Sequence, residues 1–160
     1  MTKRAVMAFS GGLDSTGLLM HLLANNYQVD AISFDYGQKH SLELERAAAN
    51  VAYLKENSIP VSHRIIDLKS AMSEFYSALT SSDIDIPEGH YAGEQMRQTV
   101  VPNRNAIFSS ILYGYALSIA NKEDTDVKLA LGVHSGDHVI YPDCRPDFYD
   151  ALEHAFQVGN

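Results

Sequence analysis

Cysteine is almost missing from this chain: Cys144 stands alone among 160 residues. One thiol closes no intramolecular disulfide and builds no cysteine cage for zinc. Basic residues are also scarce, 12 Lys and Arg against 20 Asp and Glu, for a net charge of −8. That balance argues against a broad face for duplex nucleic acid, while leaving room for a local basic cluster around a phosphate. Long apolar runs are absent. No stretch approaches the ~18 residues of a membrane span, and the polar start has no signal-peptide pattern. The expected location is therefore cytoplasmic. With 46% hydrophobic residues, and a length near one domain on the prior of roughly 100–200 residues per domain, a soluble globular protein is expected.

Two familiar phosphate-binding patterns are missing as well. No lysine follows the first glycines, so there is no G-x-x-x-x-G-K-[ST] loop. Those glycines are adjacent, so G-x-G-x-x-G fails too. What stands instead is a short apolar run, Ala5–Phe9, then Ser10-Gly11-Gly12-Leu13-Asp14-Ser15-Thr16, then the leucine-rich stretch Gly17-Leu18-Leu19-Met20. This reads as a buried strand, a tight loop and a helix. Gly11 and Gly12 let backbone N–H groups approach an anion, and Ser10, Ser15 and Thr16 add hydroxyl donors. The helix that follows turns its unpaired N–H groups toward the same spot. The plainer alternative is a Gly-rich turn with Ser15 as helix N-cap.

Strand and helix signals then alternate. A first helix is expected over 15–26, with Leu18, Leu19, Leu22 and Leu23 buried. A strand is expected over 29–34. A long helix follows Ser41 as cap, with Leu44, Ala47, Ala48, Val51 and Leu54 inside. A third strand covers 61–68, a short helix 70–79, and a long loop 80–101. A helix over 104–120 is apolar on most of its circumference, predicting burial on two sides. A fourth strand covers 127–133, and a last helix 146–157. Such alternation predicts an α/β fold, a parallel sheet with helices on both faces, Rossmann-like, as one domain. Ligands of such sheets sit beyond the carboxyl ends of the strands. The polar loops 10–15, 35–40, 103–105 and 134–145 are expected to converge there.

Arg104 and Arg145 are the candidate anion grips, since a guanidinium holds a carboxylate or phosphate through two hydrogen bonds. Pro102 and Pro142 stiffen the loops that carry them. Lys39 and His40 are equally readable as solvated surface. His134 and His138 fall in a loop, so their spacing carries no helical metal argument. Cys144 is expected to be a buried structural thiol. Asp14 is expected to cap the helix or approach Mg²⁺ rather than touch phosphate.

The S-G-G-x-D-S loop resembles that of the ATP pyrophosphatase (PP-loop) superfamily. Three further blocks, Phe34-Asp35-Tyr36-Gly37-Gln38-Lys39-His40, Val101-Pro102-Asn103-Arg104-Asn105 and Tyr141-Pro142-Asp143-Cys144-Arg145-Pro146-Asp147-Phe148, narrow the resemblance to the 7-cyano-7-deazaguanine synthase family of queuosine and archaeosine biosynthesis. Asn103 stands where that family usually has glycine, and asparagine tolerates the left-handed turn next best. The family's last strand and zinc-binding cysteine cluster have no counterpart in residues 1–160, so zinc is not carried over. The resemblance implies a ligase that joins ammonia to 7-carboxy-7-deazaguanine with ATP and Mg²⁺. It implies ATP contacts from Phe9, Ser10, Gly11, Gly12, Leu13, Asp14, Ser15, Thr16, Gly17, Leu18 and Leu19. Catalytic roles would fall to Arg104, Arg145 and Asp14, and base contacts to Tyr36, Gln38, Asp137, Tyr141 and Asp143. Small molecules are the expected partners, with no direct nucleic acid or membrane; a homodimer or a protein partner stays open. So do two other readings: a related adenylating enzyme that conjugates a deazaguanine acyl group to a protein amine, and a non-catalytic nucleotide-binding subunit.

Overall fold

Alternating apolar residues set the layers. Ala5, Met7 and Phe9 point to one side of the first strand and Val6 to the other, and both sides are buried. A computed structural model describes residues 3–38, 42–75, 101–133 and 141–160. The elements are β1 (Lys3–Ala8), α1 (Leu13–Ala24), β2 (Tyr27–Asp35), α2 (Leu42–Glu56), β3 (Val61–Asp67), α3 (Lys69–Met72), α4 (Arg104–Glu123), β4 (Val127–Ala130), a 3₁₀ turn (Pro142–Cys144) and α5 (Pro146–Val158). These residues group into two compact units. The first comprises 3–35, 42–67 and 108–132; the second comprises 36–38, 68–75, 101–107, 133 and 141–160.

The first unit holds the sheet, in the order β3-β2-β1-β4, with every pair parallel. On one face Leu19 and Leu22 of α1 and Ala47, Val51 and Leu54 of α2 pack with Ala5, Met7, Phe9, Val29 and Ala31. On the other face Phe34 stacks on Phe108 of α4, centroids 4.1 Å apart and planes 11° apart. Arg4 reaches Asp30 at 2.9 Å and Glu123 of α4 at 3.5 Å. Helices thus cover both faces, as the alternation implied. The strand order reverses between β1 and β4, and ligands of such sheets bind outside the strand ends at that reversal.

Several details differ from the sequence reading. Helix α1 begins at Leu13 with Gly12 as N-cap, so Ser15 lies inside its first turn. Leu18 and Leu23 are only partly buried against the core. Ala48 is exposed, because the tight seam of α2 runs through Ala47, Val51 and Leu54. Helix α4 buries one stripe, Ser109, Leu112, Ala116 and Ile119, rather than two sides; its other apolar residues flank that stripe half-buried. Strand β4 ends at Ala130, and β2 runs longer than expected, Tyr27–Asp35. The expected cap Ser41, the end of the 70–79 helix and most of the 80–101 loop lie outside the described residues.

The second unit contains α3, the first turn of α4, the 3₁₀ turn and α5. Val101 and Met72 are its most deeply buried apolar side chains among the described residues. Asn103 has φ +57°, the left-handed turn expected there. Arg145, just before Pro146, is extended at φ −78° and ψ 146°, as a residue preceding proline must be.

Candidate functional site

The loop after β1 is shaped by two requirements on Gly11. Its φ is +79°, a region costly for any residue with a Cβ. A Cβ at Gly11 would also lie 2.6 Å from the backbone N and 2.9 Å from the Cα of Ala47 in α2. The loop is folded directly against a helix backbone, and only glycine fits. The hydroxyls then close the turn. Gly12 N–H donates to Ser10 Oγ at 3.3 Å, Ser10 Oγ and Ser15 Oγ are 3.1 Å apart, and Ser15 Oγ donates to Gly12 O at 3.2 Å. Thr16 N–H bonds the same carbonyl at 3.0 Å, the first backbone bond of α1.

Among the described residues no side chain caps α1, so its first N–H groups, which have no intrahelical partner, are left with the geometry that suits an anion. Leu13 is 90% exposed, while Asp14 is exposed in the first turn. Thr16 Oγ1 is buried and has no hydrogen-bond partner among the described residues. Leu19, by contrast, is fully buried in the core. Just past β4, Gly132 comes so close that a Cβ there would sit 3.3 Å from Ser15 N and Cα. The two strand ends at the order reversal therefore meet over this loop.

The second unit brings together two of the sequence blocks. Asn105, in the first turn of α4, donates its backbone N–H to Asp143 Oδ2 at 3.3 Å. Its Nδ2 reaches Asp143 O at 3.2 Å and Cys144 Sγ at 3.6 Å. Asp143 is thus the acidic cap of α4, supplied from 38 residues away, where a carboxylate satisfies a first-turn N–H and complements the helix dipole. Cys144 is half-buried rather than the deep structural thiol expected, because it sits in the 3₁₀ turn. Tyr149 Oη is buried with no hydrogen-bond partner among the described residues. Burial, with Cys144 and Asp143 nearby, pushes its phenol up to about 12, against an opposing pull from Arg104.

Of the other candidates, Arg104 is half-buried and Arg145 exposed. Tyr36 is buried, and its N–H bonds Gln38 Oε1 at 3.0 Å, folding that loop on itself. Tyr141 precedes the 3₁₀ turn. Lys39, His40, His134, Asp137 and His138 lie outside the described residues. Sequence reasoning missed Asp143 as a helix cap, the Thr16 hydroxyl left unpartnered among the described residues, and a bonded pair, buried Ser33 and half-buried His63, next to Phe9. Ser33 and His63 come together only through the pairing of β2 with β3, which leaves no spacing signal in the chain.

With this geometry in view, comparison with known proteins is decisive. Residues 4–160 match the family described as Queuosine biosynthesis protein QueC. The chain belongs to the QueC family. It is 47% identical over 163 residues to the 7-cyano-7-deazaguanine synthase of Pseudoalteromonas atlantica, covering 100% of this chain and 69% of that protein. The synthase of Methanoregula boonei is 47% identical over 155 residues, covering 97% and 67%. The chain thus spans about two thirds of the length of these QueC relatives. A crystal structure titled a predicted subunit of tRNA methyltransferase, from Methanocaldococcus jannaschii, shares the fold with TM-score 0.56. It is 19% identical and covers 97% of this chain and 64% of that one. No helix among the described residues is long and apolar enough to cross a membrane.

Members of the QueC family use ATP, which implies magnesium. The oxygen donors at the loop, the Asp14 carboxylate and the Ser10, Ser15 and Thr16 hydroxyls, suit a hard cation held mainly by phosphates. The single cysteine does not fit a cysteine-ligated zinc.

Proposed function

We propose that this chain is the ATP-binding domain of a 7-cyano-7-deazaguanine synthase, converting 7-carboxy-7-deazaguanine, ammonia and ATP to the nitrile. One observation carries the reading: a glycine-dependent loop at the β1/β4 reversal presents uncapped helix N–H groups and an unpartnered Thr16 hydroxyl. Those donors suit the pyrophosphate part of ATP. Ser10 through Thr16 would hold it, and Asp14 is the residue that would approach a Mg²⁺ ion, which would supply positive charge against the phosphates.

A carboxylate is a poor electrophile with a poor leaving group, so its oxygen attacks the α-phosphorus. Pyrophosphate leaves and an acyl-adenylate forms. Ammonia then attacks the acyl carbon, AMP leaves, and the primary amide results. A second ATP activates the amide oxygen, whose loss with two protons from nitrogen leaves the nitrile. The protein's contribution is placement and charge stabilisation on phosphate and carboxylate oxygens. Arg104 and Arg145 serve that purpose. Tyr36, Gln38, Asp137, Tyr141 and Asp143 are assigned to the deazapurine. Since Oδ2 of Asp143 caps α4, its contact with the base N–H groups would use Oδ1.

The relatives carry the synthase name, which favours nitrile formation over conjugation to a protein amine. The test is incubation with ATP, magnesium, the carboxylic acid and ammonia, followed by mass spectrometry. Amide and nitrile with AMP are expected. A conjugate to an added protein acceptor, or ATP binding without AMP, would overturn the reading.

A further inference from the structure

The loop's first residue hangs from a carbonyl that the sheet cannot hold. The β1 ladder ends at Ala8. Phe9 N–H still bonds Ile32 O at 2.8 Å, but its own C=O faces the point where the chain leaves the sheet. Ser33 Oγ, only 1% exposed, donates to that carbonyl at 2.5 Å. His63 Nε2 lies 2.8 Å from the same Oγ. Ser33 has one hydroxyl hydrogen, committed to Phe9 O, so its oxygen must accept and His63 must carry its proton on Nε2. The His63 ring also meets the buried Phe9 ring edge-on, centroids 6.1 Å apart.

We propose that Ser33 and His63 are positioning residues for the phosphate loop: through the Phe9 carbonyl they set where the backbone donors of Ser10–Asp14 point. Its consequence for ATP rests on the nucleotide reading above; its consequence for the loop does not. Two bonds from β2, Ile32 O to Phe9 N–H and Ser33 Oγ to Phe9 O, hold the last residue before the loop, and His63 of β3 holds Ser33 in turn. A neutral ring fits this chain of donors. Burial lowers the His63 pKa, and the positive charge of Lys55 in α2 lowers it further.

The test uses the full chain with Ser33→Ala, His63→Leu and His63→Gln, in two readouts. Amide hydrogen exchange at Gly11, Gly12 and Leu13 reads the loop without any ligand. Calorimetric titration with ATP, well below each variant's unfolding temperature, reads its function. Ser33→Ala is expected to speed loop exchange and weaken ATP binding about tenfold, the value of one buried hydrogen bond. His63→Leu, which leaves the Ser33 to Phe9 bond in place, should weaken binding about threefold by the same conversion. His63→Gln, which restores an N–H donor, should return affinity to near that of the wild type. Unchanged loop exchange and affinity in Ser33→Ala and His63→Leu, even with lower Tm, would reduce the pair to structural contacts and overturn the proposal. If the wild type itself fails to bind ATP, the nucleotide reading falls, and the exchange readout alone decides the positioning role.

Discussion

Two turns of this molecule, the loop after β1 and the turn at Asp143, are held in opposite ways. The loop after β1 is fixed by backbone shape: a left-handed Gly11 pressed on the Ala47 backbone, with hydroxyls closing a turn among near neighbours. The turn at Asp143 is fixed by side chains that bridge distant sequence, Asn105 donating to Asp143 and Cys144. The first leaves its helix N–H groups uncapped; the second uses a carboxylate to cap its helix. An uncapped helix start is a place for an external anion, whereas a capped one has already been supplied with its negative charge. This contrast is why phosphate is assigned to the first turn.

Breaking the backbone-held turn should have the largest effect. Gly11→Ala combines a left-handed φ with overlap against Ala47, and is expected to cost about 3 kcal/mol or more. That corresponds to a Tm loss of roughly 10 °C for a chain of this size. Differential scanning calorimetry reads it, and a Tm within about 2 °C of wild type would remove the steric argument.

Asn105→Ala should cost less, about 1–2 kcal/mol, because Asp143 keeps the backbone N–H of residue 105 and loses only the Nδ2 bonds. Urea denaturation measures it. A loss as large as that of Gly11→Ala would mean that both turns depend on backbone fit, and the contrast would fail.

The smallest effect concerns pH and belongs to the first turn alone. Folding lowers the His63 pKa below its usual 6.5 through burial and Lys55. The unfolded chain therefore takes up the proton first. Stability is fully present above pH 6.5 and is lost as pH falls toward the folded value. His63→Gln should flatten that part of the Tm-against-pH curve while leaving the plateau at neutral pH close to the wild type's. An unchanged slope in the variant would show that another group is responsible.

Much of this was legible in the chain itself, for local reasons. A strand, glycine pair and leucine helix lie within one short stretch, so the tight turn after β1, the parallel α/β layers and the left-handed Asn103 follow from neighbours in sequence. What was not legible depends on distant contacts. That Gly11 must be glycine because of Ala47, or that Asp143 caps α4, appears only when the chain is folded. Gly12 rather than Ser15 caps α1, since glycine is itself an acceptable N-cap when the loop must stay open to a ligand. The expectation of two buried sides for α4 counted apolar residues without knowing that a single stripe, Ser109 to Ile119, would meet the core.

The most direct measurement is ATP-dependent pyrophosphate release by the wild type and by the Ser10→Ala, Ser15→Ala double variant, each shown to be folded, with the deazaguanine acid present. The wild type should release pyrophosphate and the variant should not. Equal release by both would mean that the triphosphate is held elsewhere, and the function assigned to this loop would be wrong.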